Sequence, residues 1–448
     1  MSKPTLWVGC GAGFSGDRLD APLPVVRTLC GRSGRRVLIL ETLAERTLAL
    51  AQLARREQPS LGYEPLLECL LRPVLEACLA NAVCIVSNFG AANPMGAAQK
   101  IHALAAELGL RKPRVAVLRG DDLMAHPDAA ALFESMGLAA GKSLVSANAY
   151  LGAEAIADAL RDGADIVVTG RVADPSLTVG PAMAHYGWSA DDWARLGAAT
   201  MAGHLLECGS QVTGGYFADP GYKDVPDLAH VGFPIAQIDA DGGCVVGKAA
   251  GTGGLVSART VKEQLLYELH DPAAYVTPDV VADIGEATVV ECGADLVALR
   301  GVRGHPRPDT LKVSAFYEGG WLAEGEISYG GPRAEGRARL AAELIRTRIG
   351  AGGGLRFDLI GVLSTFGDDA GRLLAATPDR GATDVRLRVA GKFGEREQAE
   401  EVMREVTSLY TCGPAGGGGV RTALRRRLET HSCYVDRNRI DARYDIFQ

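Results

Sequence analysis

Short apolar runs alternate with Ala- and Leu-rich stretches through the first 180 residues, and this alternation restricts the fold more than any other feature. The runs are Leu6–Gly9, Val37–Glu41, Val83–Ser87, Val115–Leu118 and Ile166–Thr169. Their unbroken apolar character suits strands covered on both faces. Helices are expected near Pro22–Cys30, Leu43–Arg56, Pro65–Leu79, Pro94–Leu108 and Leu151–Arg161, with another over Asp191–Cys208 closed by Gly209. Such alternation specifies an α/β fold, here a Rossmann-like, mostly parallel N-terminal sheet with flanking helices.

Beyond about residue 230 the rhythm changes to an α+β region with mixed or antiparallel strands. Strands are expected at Cys244–Lys248, Thr288–Glu291, Leu296–Gly301, Thr310–Tyr317 and Trp321–Tyr329, with Glu318-Gly319-Gly320 as a hairpin connection. A helix at Arg333–Arg348, strands at Phe357–Val362 and Val385–Val389, and a charged helix over Glu395–Tyr410 follow. The expected division is an α/β domain over residues 1–230 and an α+β domain over residues 231–448 that completes a cleft. Gly350–Gly354 and Gly413–Gly419 read as loops or linkers. No internal repeat is evident.

With 448 residues, 47% of them hydrophobic, the chain can bury a large core. A formal net charge of −7 disfavours a nucleic-acid groove or an anionic membrane surface, since both require a basic face. Small molecules are the expected partners. The first residues lack the apolar core of a secretory signal and no stretch reaches the roughly 20 apolar residues of a membrane span, so a cytoplasmic location is expected. The ten cysteines form no C-x-x-C pair, which points to core packing rather than a cysteine-rich metal site.

Four segments concentrate polar residues, three of them where strands hand over to helices. The first, Gly9-Cys10-Gly11-Ala12-Gly13-Phe14-Ser15-Gly16-Asp17-Arg18, is a glycine-rich turn suited to cradling an anion. Its Gly11, Gly13 and Gly16 match G-x-G-x-x-G, with Glu41 where a ribose-binding acid would sit. Against a dinucleotide, Asp17 brings negative charge to the phosphate position, and Pro22 and Pro24 start the helix several residues late. In Ser87–Pro94, Asn93 and Pro94 have the default reading of helix initiation, whereas Asn88 has no such local job and suits a substrate carbonyl. In Thr169–Leu177, Asp174 is a helix cap by default and Arg171 suits bidentate binding of a carboxylate or phosphate. In open parallel sheets such turns gather at one edge.

The fourth segment is Gly203–Phe217. On a helix His204, Glu207 and Cys208 share a face, fitting an acid/base pair, a nucleophile with its base, or part of a metal site; ordinary packing is the bland alternative. Gln211 and Thr213 follow, and Thr213-Gly214-Gly215-Tyr216 offers backbone N–H groups for an oxyanion. Lys312 and Glu326 have no role assignable from spacing.

These segments, with LAERT at Leu43–Thr47, NAYLGAEAIADALRDGADIVVTGRVADPSL from Asn148, TVKEQLLYELHDPAAYVTPDV from Thr260, RPDTLKV at Arg307–Val313 and CGPAGGGG from Cys412, resemble the acyclic terpene utilisation family AtuA over almost the whole chain. The resemblance implies a place in the breakdown of citronellol- or geraniol-type compounds as acyl-CoA thioesters, and a site including Gly11, Gly13, Asp17, Arg18, Asn88, Asn93, Asn148, Arg171, Asp174, His204, Glu207 and Gln211. Longer members carry a ferredoxin-like domain after this region, so a separate ferredoxin-like partner chain is an expectation here.

The resulting expectation is an enzyme, forming a homo-oligomer, that acts on a small carboxylate or acyl-CoA thioester by lyase- or hydratase-type acid/base chemistry. Asp17, Asp174, His204 and Glu207 are the expected catalytic groups. Gly11, Gly13, Ser15, Arg18, Asn88, Asn93, Asn148, Arg171, Gln211 and Thr213 are the expected substrate-binding groups. No cofactor or metal is expected, CoA entering only as part of the substrate. The alternatives are an NAD(P)-dependent oxidoreductase and a non-catalytic scaffold of an acyl-CoA carboxylase, the latter using the Glu395–Tyr410 helix.

Overall fold

The computed structural model describes residues 4–138, 144–350 and 354–447. Two compact units emerge, one formed by residues 1–315 together with 430–448, the other by residues 316–429. The expected boundary near residue 230 falls inside the first unit, because the strands just beyond it extend the N-terminal sheet.

The first unit begins with strands β1 (Leu6–Ala12), β2 (Arg35–Leu40), β3 (Val83–Ser87), β4 (Val115–Arg119), β5 (Leu144–Ala149) and β6 (Ile166–Val168). It continues with β7 (Pro234–Ile238), β8 (Cys244–Lys248), β9 (Tyr275–Val276), β10 (Val281–Asp283), β11 (Thr288–Gly293), β12 (Leu296–Arg300) and β13 (Arg303–His305). Strand β14 (Thr310–Gly330) runs from this unit into the second, which adds β15 (Arg356–Ile360), β16 (Asp384–Phe393) and most of β17 (Gly417–Asp436); β18 (Arg443–Phe447) returns to the first.

Ten strands form one sheet in the order β11-β12-β8-β7-β1-β2-β3-β6-β4-β18. Its centre, β1-β2-β3-β6-β4, is parallel. Antiparallel strands extend it on both sides, so the architecture is a mixed α/β sheet in which the Rossmann-like order is only partly present. Register aligns the carboxyl ends: Ala12 lies opposite Leu40, Leu40 opposite Ser87, Ser87 opposite Val168, and Val168 opposite Val117. The loops leaving these strands therefore share one edge.

Alternating side chains divide the core. Leu38, Leu40, Ile85, Val117, Ile166 and Val168 pack with helices Pro22–Cys30, Leu67–Leu71, Leu75–Ala80 and Pro94–Glu107. Helices Glu154–Arg161, Ser176–Tyr186 and Trp193–Glu207 pack in sequence with one another and also touch central strands. The single helix expected over Pro65–Leu79 is two short ones, since Pro73 interrupts it. Helix Ser176–Tyr186, with Pro181 inside it, and strand β5 went unread in the sequence. No helix of the described residues is long and apolar enough to cross a membrane.

The second unit runs strand, helix Ala334–Ile349, β15, helix Arg372–Ala376, β16, helix Arg396–Cys412, strand. Its strand order β15-β16-β14-β17, with β16 antiparallel to both β14 and β15, is that of a ferredoxin-like βαββαβ unit. Ile327, Tyr329, Leu359, Leu387 and Val389 pack against Ala338, Ile345, Val402 and Val406. The expected hairpin at Glu318-Gly319-Gly320 is absent: β14 is continuous there, with Gly320 at φ +79° forming an irregularity inside the strand. Gly417 to Gly419 likewise open β17 rather than forming a linker. Residues 351–353 of the Gly350–Gly354 stretch lie outside the described residues.

Candidate active site

The glycine turn after β1 is closed by its own acid. Asp17 Oδ2 accepts from the Gly13 amide at 2.8 Å and Oδ1 from the Arg18 amide at 2.8 Å. A β-carbon on Gly13 would run into the Gly209 amide and the Cys208 carbonyl carbon, so only glycine lets the turn rest on the end of helix Trp193–Glu207. Gly11 lies within β1 against Leu38 and Leu40, as a packing position rather than a turn. The dinucleotide alternative therefore loses its phosphate donor at Gly13. Glu41, its ribose acid, is buried instead of facing a ligand.

Glu41 belongs to a second, internal constellation at the same sheet edge. Its Oε1 accepts from Asn88 Nδ2 at 2.7 Å and from the Leu43 amide at 2.7 Å. Asn88 Oδ1 in turn accepts from the Thr42 amide at 2.8 Å. Asn88 thus holds the 41–43 loop rather than presenting its amide to a substrate. Arg171, only 1% exposed, donates Nε to the Val172 carbonyl at 2.8 Å, Nη1 to the Leu43 carbonyl and Nη2 to Asp174, with its guanidinium 4.4 Å from the Tyr150 ring centre. Each of its nitrogens is engaged by protein, which leaves no free fork for the bidentate clamp expected of it.

The Asp174 side chain keeps 37% of its surface open although charged groups surround it. Its placement depends on Gly203, whose missing side chain admits Pro175 against helix Trp193–Glu207. One residue later that helix carries His204. His204 Nδ1 and Glu207 Oε1 lie 2.8 Å apart, and the far atoms of the pair, His204 Nε2 and Glu207 Oε2, are buried with no hydrogen-bond partner among the described residues. The Tyr275 ring stands 5.2 Å from the imidazole, and Gln264 Nε2 donates to the His204 carbonyl at 3.1 Å.

The electrostatics follow from burying several acids beside one arginine. Burial raises Glu41 to about 8, helped by Asp174 and opposed by Arg171 and Asn88. Burial also raises Asp174 and Asp17, against the pull of Arg171 on the first and of the Gly13 and Arg18 amides on the second. In the His204–Glu207 pair, burial raises the carboxyl against the imidazole's charge; Glu207 raises the imidazole against burial. Both shifts favour keeping a proton on the pair. Burial pushes the Cys208 thiol up, which disfavours a thiolate nucleophile there.

The remaining expected residues separate into support and periphery. Asn148 Nδ2 donates to Asp121 Oδ2 at 2.9 Å, and that oxygen also accepts the Arg171 amide at 2.8 Å; burial raises Asp121 to about 6. Asn93 spends Oδ1 on the Gly96 amide and Nδ2 on the Leu61 carbonyl, the helix-cap reading. Arg18 donates to the Ala229 carbonyl at 2.6 Å, which pins a loop. The Thr213 hydroxyl donates to backbone carbonyls, and the Gly214 and Gly215 amides expected to hold an oxyanion donate instead to the Gln211 and Ser210 carbonyls. Gln211 lies beside Tyr267. Ser15 lies with Thr42 beside Glu64, on the wall of a cavity of about 510 Å³.

Sequence reading missed Tyr150, Glu45, Lys312, Ser314 and Tyr275. Tyr150 Oη, Lys312 Nζ and Ser314 Oγ converge on Glu45 Oε1 at 3.0, 2.9 and 2.8 Å. Tyr150 and Asp174 tie this group to Arg171. Tyr150, Glu45, Lys312 and Tyr275 lie inside the segments that carry the family resemblance, but nothing in their spacing singles them out. Among the described residues no group of three His, Cys, Asp or Glu side chains is arranged to hold a metal ion.

A family model described as acyclic terpene utilisation family protein AtuA matches residues 6–446, and the chain belongs to that family. No curated protein and no solved structure matches.

Proposed function

We propose that this member of the acyclic terpene utilisation family is an enzyme that moves a proton at a carbon next to the carbonyl of a carboxylate or acyl thioester, in lyase- or hydratase-type chemistry. The observation that carries this reading is the His204–Glu207 pair: two buried polar atoms without hydrogen-bond partners among the described residues, close to Asp174, an acid whose side chain is partly open. Unpaired buried polar atoms cost about 1–3 kcal/mol each, so they persist where another demand outweighs stability.

In this reading His204 Nε2 is the atom that exchanges a proton with substrate, and Glu207 fixes the ring and stabilises its charged form. Asp174 supplies the second acid/base group, with Arg171 tuning its charge. Asp17 shapes the turn beside the pair and is a positioning residue.

The test is deuterium exchange at the carbon next to the carbonyl, followed by NMR in D₂O with a panel of short acyl-CoA thioesters and hydroxy acids. Wild-type protein should exchange at least one substrate, and His204→Gln should lower the rate by about 10²–10⁴-fold with the fold intact. Equal exchange by both proteins would overturn the assignment.

A further inference from the structure

A cavity of about 480 Å³ opens at the carboxyl ends of β3 and β4, where residues 91–95 and 117–127 meet Asp441 and Arg443. Its volume is in the range of small-molecule sites, roughly 300–1,000 Å³, and open α/β sheets take ligands at this edge. Met95, Val117 and Leu118 give it an apolar wall. Asp121 also lines it and is 4% exposed. Both hydrogen bonds to this carboxyl, from Asn148 Nδ2 and the Arg171 amide, come from uncharged donors and go to Oδ2; no donor of another described residue reaches Oδ1. Burial and the neighbouring Asp122 raise the group to about 6, so at about pH 7.5 it is ionised with no cation bonded to it among the described residues. A buried carboxylate in that state is costly unless a cation joins it.

The cations of the cavity sit on its open side. Arg55 gives one N–H to the Ala92 carbonyl, and its guanidinium stands 3.6 Å from Asp122; that of Arg443 stands 3.6 Å from Asp441. Both separations exceed the roughly 2.7–2.9 Å of a close charge-assisted hydrogen bond, so the two arginines are loosely held. Arg119, by contrast, is closely paired with Asp445 at 2.9 Å. We infer that this cavity is a second ligand site, separate from the His204–Glu207 pair, and that it takes a small zwitterion, an aliphatic α-amino acid. Its ammonium donates to Asp121 Oδ1, its carboxylate meets Arg55 with Arg443 at the rim, and its side chain lies on Met95, Val117 and Leu118. Arg55 reaches the residue next to Asp121, so the two charges are neighbours, which matches an α-amino acid better than a longer zwitterion. The inference does not depend on the reaction proposed above.

The experiment is isothermal titration of the full chain at about pH 7.5 with norleucine, pentylamine, hexanoate and ε-aminocaproate. Norleucine should bind at one site, about tenfold or more tighter than pentylamine, which lacks the carboxylate, hexanoate, which lacks the ammonium, and ε-aminocaproate, which separates the charges. Asp121→Asn keeps an oxygen for Asn148 and the Arg171 amide while turning an N–H into the cavity, and should weaken norleucine binding about tenfold or more. Ala125→Trp, at an exposed position on the open side, should block norleucine with the thermal midpoint unchanged. His204→Gln should bind norleucine as wild type does. Absence of norleucine binding, equal affinity for any of the other three probes, or wild-type affinity in either cavity variant would overturn the inference.

Discussion

Replacing Glu41 by glutamine isolates the electrostatic cost of the buried cluster. The substitution keeps an oxygen for Asn88 Nδ2 and the Leu43 amide, so the loop geometry is preserved and only the charge is removed. Glu41 is 6% exposed, and burial beside Asp174 lifts its carboxyl from 4.5 to about 8. Because the folded state holds this proton more tightly than the unfolded chain, stability from this group is complete below about pH 4.5 and is lost as pH rises to about 8. The slope is about 1.4 kcal/mol per pH unit, or about 5 kcal/mol across the window, against a typical total of about 5–15 kcal/mol. Urea unfolding of both proteins from pH 5 to pH 8.5 measures it. Glu41→Gln should become progressively more stable relative to wild type as pH rises. A constant difference across the range, or a variant that weakens with pH as steeply as wild type, would refute the reasoning.

Three further outcomes test the surrounding structure. Arg171→Met leaves Asp174 and Glu41 without their cation and should cost about 3–5 kcal/mol by urea unfolding. Gly13→Ala forces a methyl group against the Gly209 backbone and should destabilise by about 1–3 kcal/mol in the same assay. Asn88→Ala removes a donor from Glu41 and an acceptor from Thr42, for about 1–3 kcal/mol measured at pH 8.5, where Glu41 is ionised.

The central strands were readable in the sequence because a strand covered on both faces needs an unbroken apolar run, and Val37–Glu41 or Val83–Ser87 has no other economical use. The convergence of the strand-end turns followed from that. The second half was harder: Gly319 and Gly320 look like a turn, yet a long strand accommodates them as an irregularity. Local spacing also exposed His204 and Glu207, since three residues along a helix place them on one face.

Destinations of hydrogen bonds were not readable. Arg171 and Asn88 looked available for a ligand because local spacing does not show which groups they bond: Asn88 is held by Glu41 and Thr42 and Arg171 by Leu43, all far away in the chain, and Arg171 also by its neighbours Val172 and Asp174. Tyr275 and Lys312 lie in segments that carry the family resemblance, but their spacing gives them no role, and they reach the site through β9 and β14. The second unit's βαββαβ order became apparent only from the pairing of its strands.

The most direct test is a high-resolution crystal structure of the protein with a bound acyl thioester or its unreactive analogue. The carbon next to the carbonyl, or the group it carries, should lie within reach of His204 Nε2 and Glu207 Oε2, with Asp174 beside the ligand. A ligand seated elsewhere, with those two atoms still facing only protein, would contradict the account.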